Sequence, residues 1–104
     1  MPVTEISGHQ VHVDDEGFLT VFGEWDEEVA QALAAQIGLE LTDAHWKVLR
    51  FLRDDFAVRG ETATTRRVQL AGGVPVKEQF ALFPKKPMKK MAYVAGLPKP
   101  HGCV

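Results

Sequence analysis

The sequence contains little cysteine: among its 104 residues the single cysteine is Cys103. A disulfide within the chain is therefore excluded, and one unpaired thiol is typical of proteins in reducing compartments. No apolar run approaches the roughly 20 residues that span a bilayer, and the N-terminal residues have neither the basic start nor the apolar stretch of a signal peptide. We therefore expect a cytoplasmic protein that does not associate with membranes.

The sequence also lacks the residue patterns of common catalytic and metal sites. Gly72-Gly73 has neither the lysine nor the spacing of a phosphate-binding loop. The candidate metal ligands His9, His12, His101 and Cys103 match no zinc spacing. His101 is two residues from Cys103, but a segment rich in proline and glycine cannot orient it as a base. We therefore predict no metal, no cofactor and no self-contained active site.

Charge is distributed unevenly along the chain, although the net charge is only −2. Residues 1–55 contain 12 Asp and Glu against three Lys and Arg, whereas residues 56–104 contain two against nine. Either the two halves neutralise each other in the fold, or the second half forms a basic face that attracts acidic proteins, RNA or small anions. The lysines of that face would be Lys85, Lys86, Lys89, Lys90 and Lys99.

The N-terminal region predicts a small antiparallel sheet, and the rest of the chain predicts helices. Residues 3–6, 10–13 and 18–22 alternate in polarity between turn residues, which indicates two or three short strands. So small a sheet needs helices to pack on. The fold class predicted is α+β, mainly helical, with an N-terminal β-hairpin packed on a small helical bundle.

Five helices are predicted from apolar periodicity and capping residues. In the second helix, His45 precedes Trp46 and is expected to be structural. Each helix has one residue that signals its start and one that signals its end. In chain order these pairs are Asp26 and Gly38, Thr42 and Gly60, Thr62 and Gly72, Val76 and Pro84, and Met88 and Gly96.

The C-terminal segment cannot be helical, because Pro98 and Pro100 lack an N–H and bias the residues before them to extended conformations. Gly96 and Gly102 flank this stretch and are predicted to act as hinges. The segment is either a mobile arm with Cys103 at its tip or a frayed terminus that happens to contain a cysteine.

A helix-turn-helix is a second possibility from the residues alone. Two predicted helices meet near Gly60, and the second carries Arg66 and Arg67. Paired arginines also occur on ordinary solvated helix faces, and the acidity of the first half opposes nucleic-acid binding.

The C-terminal segment resembles the signature of the DsrC/TusE family of sulfur-trafficking proteins. Gly96-Leu97-Pro98-Lys99-Pro100 followed by Gly102-Cys103-Val104 combines an unusual composition with a penultimate cysteine. The likeness extends to three upstream stretches: residues 15–19 with Trp25 resemble the family's hairpin and first-helix entry, residues 45–54 its HWxVxRFxRD helix, and Leu82-Phe83-Pro84 with Pro87 its LFPxGP segment.

The resemblance implies a globular domain over residues 1–94, with strands at about 3–22 and helices at about 26–94, and a mobile arm over residues 95–104. It also implies that Cys103 carries sulfur, as a persulfide or in a linkage to a partner. The family's DsrC branch has a second arm cysteine eleven positions earlier, where this chain has Ala92. Two departures are Lys86, in place of the usual glycine of LFPxGP, and residues 60–79, which match poorly.

The predicted function is therefore a sulfur relay on Cys103, of the TusE type. That branch takes sulfur from an upstream donor complex and passes it to a tRNA-thiolating enzyme. The alternatives are a DsrC-like accessory (gamma) subunit of a sulfite-reductase-type system and a helix-turn-helix regulator. Candidate partner-docking residues are Arg50, Arg53, Lys85, Lys86, Lys89, Lys90 and Lys99.

Overall fold

An N-terminal hairpin and five α-helices make up the computed structural model, which describes residues 3–99. This confirms the predicted α+β, mainly helical fold. The predictions for Gly102, His101 and Cys103 concern residues outside the described part. No helix within residues 3–99 is long and apolar enough to cross a membrane. The cytoplasmic location stays a prediction.

The hairpin pairs β1 (Val3–Ile6) with β2 (His9–His12), with Val3 opposite His12. Ser7 and Gly8 form its turn, both with positive φ (53° and 81°), as the right-handed twist of two-residue hairpins requires. The predicted third strand is reduced to one bridge between Val13 and Leu19. A short 3-10 helix, Phe22–Glu24, follows it.

The helices begin and end mostly where local signals predict. Their bounds are α1 Glu27–Gln36, α2 Asp43–Arg59, α3 Thr65–Leu70, α4 Val76–Leu82 and α5 Pro87–Val94. Asp26 caps α1, where its carboxylate accepts a 2.8 Å hydrogen bond from the Val29 N–H. Thr42 and His45 form a capping box at the start of α2, and Gly60 ends that helix with φ 75°.

The start of α3 differs from the prediction, which placed its cap at Thr62. Thr64 is the capping residue, and its hydroxyl accepts a 3.2 Å hydrogen bond from the Arg67 N–H. The Thr62 hydroxyl instead donates to the carbonyl of Pro98, at 3.0 Å. Thr62, which the local sequence predicts as the capping residue, thus makes a tertiary contact with Pro98 instead.

The core lies around α5, which packs against α1, α2 and α4. Leu49, Leu52, Phe83 and Met91 are fully buried in the main cluster. A second cluster joins the hairpin to α1, and Trp25 and Tyr93 contact both clusters. His45 is buried, and its Nε2 lies 2.8 Å from the Leu82 carbonyl oxygen, which confirms the structural role predicted for it.

The predicted helix-turn-helix is not supported by the geometry of α2 and α3. Helix α3 has only six residues, too few for the recognition helix of that motif. Arg67 is held by Asp55 of α2: its Nε donates to both carboxylate oxygens at 3.0 Å. The Asp55 side chain is only 5% exposed. Arg67 therefore joins α3 to α2.

The Asp55–Arg67 pair predicts how stability depends on pH. Hydrogen bonds from Arg67 lower the pKa of Asp55. A lowered folded-state pKa stabilises the fold above the unfolded pKa, about 3.9, and this stabilisation is lost as pH falls through the folded value. We compare the free energy of unfolding in urea of the wild type with that of Asp55→Asn. The difference between the two should therefore shrink as the pH is lowered from about 6 to about 2.

The matched control for that comparison is Asp54→Asn, which removes an exposed carboxylate from the adjacent position. Its difference from wild type should stay small throughout the same pH range. A pH-independent difference for Asp55→Asn would contradict the role assigned to the ion pair.

Candidate functional site

Helix α5 ends in a capping turn that leads into the C-terminal root, by which we mean residues 94–99. The Leu97 N–H donates to the Ala92 carbonyl at 3.0 Å and the Gly96 N–H to the Tyr93 carbonyl at 3.3 Å. Gly96 has φ 68°. This is the Schellman arrangement, in which a glycine with positive φ is followed by an apolar residue. Leu97 is that residue, and it is fully buried.

Trp25 covers the root at Gly96. Its indole Nε1 donates to the Val94 carbonyl at 2.8 Å. A Cβ atom on Gly96 would lie 2.3 Å from Trp25 Cδ1. Glycine is thus required here for its positive φ and also for the close approach of the indole ring. Gly96 is therefore part of the packed domain, and the hinge predicted at this residue stays a prediction.

Arg53 fixes the root to the end of the hairpin region. Its Nη1 donates to the Ala95 carbonyl at 2.8 Å and its Nη2 to the Phe22 carbonyl at 2.7 Å. The guanidinium lies 3.9 Å from the ring centre of Phe22 and 4.3 Å from that of Trp25. Burial lowers the pKa of Arg53. The side chain predicted to dock partners therefore serves an internal structural role.

Two further contacts hold the last described residues. Thr62 donates to the Pro98 carbonyl, and Lys99 Nζ lies 2.9 Å from a carboxylate oxygen of Glu16. Because Leu97 is fully buried, the packed part of the chain continues beyond the boundary predicted at residue 94. The arm predicted over residues 95–104 stays a prediction, and its residues 100–104 lie outside the described part.

Four predicted docking lysines surround one depression of about 500 Å³, which we call the lysine groove. Its floor contains buried Phe18 and half-buried Ile37 and Tyr93. Glu16 stands at its rim and also holds Lys99, so the groove adjoins the root. The lysines are Lys85, Lys86, Lys89 and Lys90.

Glu16 is placed by a turn at Asp14. The Asp14 carboxylate accepts hydrogen bonds from the N–H groups of Glu16 and Phe18, both at 2.9 Å. Gly17, between them, has φ 90° and faces the Tyr93 ring. From this turn Glu16 reaches Lys99 and also approaches Lys89 to 3.8 Å. Residues 15–19, which resemble the family's hairpin sequence, therefore include the turn that places Glu16 at the rim of the groove.

The corner before α5 has an unusual backbone. Lys85 and Lys86 both have positive φ, 58° and 47°, a left-handed conformation that costs a non-glycine residue about 1–2 kcal/mol. The family's usual glycine at position 86 suits this conformation. Lys86 adopts it nonetheless, so the chain keeps two exposed lysines at the groove edge.

The remaining predicted residues lie elsewhere. Arg50 is exposed on α2, 3.7 Å from Glu27, and does not line the groove. Ala92, at the position of the family's second arm cysteine, is fully buried in the core. Sequence reasoning missed Glu16 and Thr62 as contacts of the root. The only sequence signal that pointed to Glu16 is the turn at residues 14–18, which contains the sequence Asp15-Glu16-Gly17-Phe18.

The histidines of the hairpin engage carboxylates. His9 Nε2 lies 3.3 Å from Asp26, and His12 Nδ1 lies 2.9 Å from Glu24. The hydrogen bonds from the His12 N–H and ring lower the pKa of Glu24. Within residues 3–99, no group of three or more His, Cys, Asp or Glu side chains is arranged to hold a metal ion.

Comparison with known proteins identifies the family. Residues 5–104 match the model of the family described as "DsrC like protein". The sulfurtransferase TusE of Salmonella typhimurium is 35% identical, over 93% of this chain and 95% of its own length. A TusE homologue of Haemophilus influenzae is also 35% identical, over 95% of this chain and 97% of its own.

Solved structures agree with the sequence matches. DsrC of Allochromatium vinosum has a TM-score of 0.85 at 37% identity, covering 98% of this chain and 97% of that one. The oxidised gamma subunit of dissimilatory sulfite reductase (DsrC) from Archaeoglobus fulgidus has a TM-score of 0.77 at 38% identity, with 99% and 100% coverage. The chain belongs to the DsrC family, and the resemblance predicted from its motifs is confirmed.

The family assignment also bears on function. The relatives are sulfurtransferases and sulfite-reductase subunits, which supports the predicted sulfur relay and favours it over the helix-turn-helix regulator. The Archaeoglobus fulgidus relative is a gamma subunit and therefore works together with other subunits of its enzyme. The predicted roles of Cys103, the two glycines and the docking residues are not decided by these comparisons and stay predictions.

The contact between Trp25 and Gly96 predicts a large loss of stability for Gly96→Ala. The new Cβ would meet the indole at 2.3 Å and alanine would also adopt a positive φ. We expect a loss of about 3 kcal/mol or more in urea unfolding. Gly8→Ala is the control, because Gly8 has φ 81° but nothing within 4 Å of its Cβ position. It should lose only about 1–2 kcal/mol, and equal losses would contradict the contact.

The positive φ of Lys86 predicts that Lys86→Gly stabilises the protein. Relief of the left-handed strain exceeds the added entropy of the unfolded chain, which leaves a gain of about 0.5–1 kcal/mol in the free energy of unfolding. Lys47→Gly, at an exposed position within α2, should instead cost about 1 kcal/mol. A loss of similar size in both variants would contradict the strained conformation.

Proposed function

We propose that this protein carries sulfur on Cys103 as a persulfide and passes it between partner proteins. The observation that carries the proposal is a root that Trp25, Arg53 and Thr62 fix to the domain. The last residue of the root, Lys99, lies four positions before the only cysteine. Chain length alone keeps the Cys103 Cα within about 14 Å of the Lys99 Cα. Its sulfur is thus delivered from a defined place on the domain.

The transfer chemistry balances without an outside oxidant. The Cys103 thiolate attacks the outer sulfur of a donor persulfide, the donor's S–S bond breaks, and the donor leaves as a thiolate. A new S–S bond on Cys103 holds that sulfur. In delivery, an acceptor thiolate attacks the outer sulfur and Cys103 leaves as a thiolate. Each transfer exchanges one S–S bond for another.

The single cysteine favours a TusE-type relay over the two-cysteine DsrC chemistry. With alanine at position 92 there is no second thiol to close an intramolecular disulfide on Cys103. We propose an upstream sulfur-donor complex and a downstream tRNA-thiolating enzyme as partners. A role as accessory subunit of a sulfite-reductase-type enzyme is the second candidate, supported by the likeness to the Archaeoglobus fulgidus gamma subunit.

The lysines near the root are the proposed docking residues. Lys85, Lys86, Lys89 and Lys90 line one groove, and Lys99 joins it through Glu16. Their positive charge would speed the encounter with acidic partners. Arg50, exposed on α2 and 3.7 Å from Glu27, is a separate proposed docking residue, whereas Arg53 is already bonded within the fold.

Intact mass spectrometry tests the carrier function. After incubation with a persulfide donor, the wild type should gain the mass of one sulfur atom, and dithiothreitol should remove it. Cys103→Ser, which removes the only thiol of the chain, should gain none. A protein that stays unmodified while a control thiol protein is loaded would contradict the proposal, as would equal loading of Cys103→Ser.

A further inference from the structure

The lysine groove has features of a binding site beyond an excess of positive charge. It is about 500 Å³ in volume and combines an apolar floor with a basic edge. Phe18 packs edge-on against Tyr93 at a ring-centre distance of 5.6 Å, and the Tyr93 hydroxyl donates to Gln36. These two contacts hold the Tyr93 ring in place, and the floor they support offers apolar surface to a side chain of another molecule.

Two of the four groove lysines have partners within residues 3–99, because Lys89 lies 3.8 Å from Glu16 and Lys90 Nζ donates to the Pro84 carbonyl. The side-chain hydrogen bonds and salt bridges of the same residues engage neither Lys85 nor Lys86. Both of these lysines are exposed and have the left-handed backbone described above. Backbone strain of this kind is retained where surrounding structure or function demands it.

Glu16 shows that a carboxylate can be held at this edge. Its carboxylate accepts a hydrogen bond from Lys99 and lies 3.8 Å from the Lys89 Nζ. The Glu16 side chain is 44% exposed. Exposed ion pairs of this kind are weak. A second carboxylate, supplied by another molecule, can therefore replace Glu16 at these lysines at little cost.

We propose that the lysine groove binds an acidic segment of a partner protein, with one apolar side chain on the Phe18, Ile37 and Tyr93 floor. This inference rests on the proposed relay function, because it makes the groove the recognition site beside the root. The apolar floor favours an acidic peptide with an apolar side chain over RNA, because the phosphates of RNA gain nothing from the floor. Glu16 acts as the internal competitor of the bound segment.

Fluorescence anisotropy with the Cys103→Ser full-length chain tests the proposal without any sulfur chemistry. The probe is a fluorescein-labelled peptide in which glutamates flank a central leucine. Lys85→Glu with Lys86→Glu should weaken its binding at least tenfold, whereas the matched charge change Lys47→Glu on α2 should have little effect. Glu16→Gln should strengthen binding by about two- to fivefold.

Probe variants separate the two parts of the site. Replacing the central leucine by alanine should weaken binding about fivefold, because less apolar surface is buried. Raising salt from about 50 to about 200 mM should weaken it further. Circular dichroism checks that each protein variant is folded, and the leucine-to-alanine probe tests the floor without any change in the protein.

Several outcomes would overturn the inference. These are no binding of the leucine peptide, equal weakening by Lys47→Glu, equal affinity for the alanine peptide, or tighter binding of an oligouridylate of similar charge. Persulfide loading of Cys103 from a small donor does not need the groove. Loading without peptide binding would therefore refute the groove alone, and peptide binding without loading would refute the carrier alone.

Discussion

The fold depends on the contacts of one side chain, Arg53 on α2. Its guanidinium donates hydrogen bonds to the carbonyls of Phe22 and Ala95 and lies against the rings of Phe22 and Trp25. The Ala95 carbonyl lies at the C-terminal end of α5, where the helix itself supplies no donor. An unpaired carbonyl at such a position costs free energy, so a charged donor with a planar fork suits it well. The contact ties the end of the hairpin region, the long helix and the C-terminal root into one unit.

Much of the fold could be predicted from sequence, because its signals are local. Asp26, Thr42 and Gly60 act as caps and stops within a few residues of where they stand. The hairpin turn likewise follows from Ser7-Gly8. Such features depend on short-range hydrogen bonds and backbone preferences, which a single sequence contains.

The site was predicted less well, because its contacts join distant residues. Arg53 was expected on a docking surface, but its carbonyl partners lie 31 and 42 residues away. Thr62 was expected to cap α3, but Pro98, 36 residues on, uses its hydroxyl. Only the basic cluster at the start of α5 was recognisable, since Lys85, Lys86, Lys89 and Lys90 are neighbours in sequence. Its apolar floor and its Glu16 rim come from other elements.

The fixed root also constrains the order of events in a relay. If the chain leaves the domain at Lys99, every protein that exchanges sulfur with Cys103 has to present its own reactive sulfur within the same small volume. A donor and an acceptor that both dock beside this root would compete for it, and the exchange of one partner for the other would then be a step of the proposed relay.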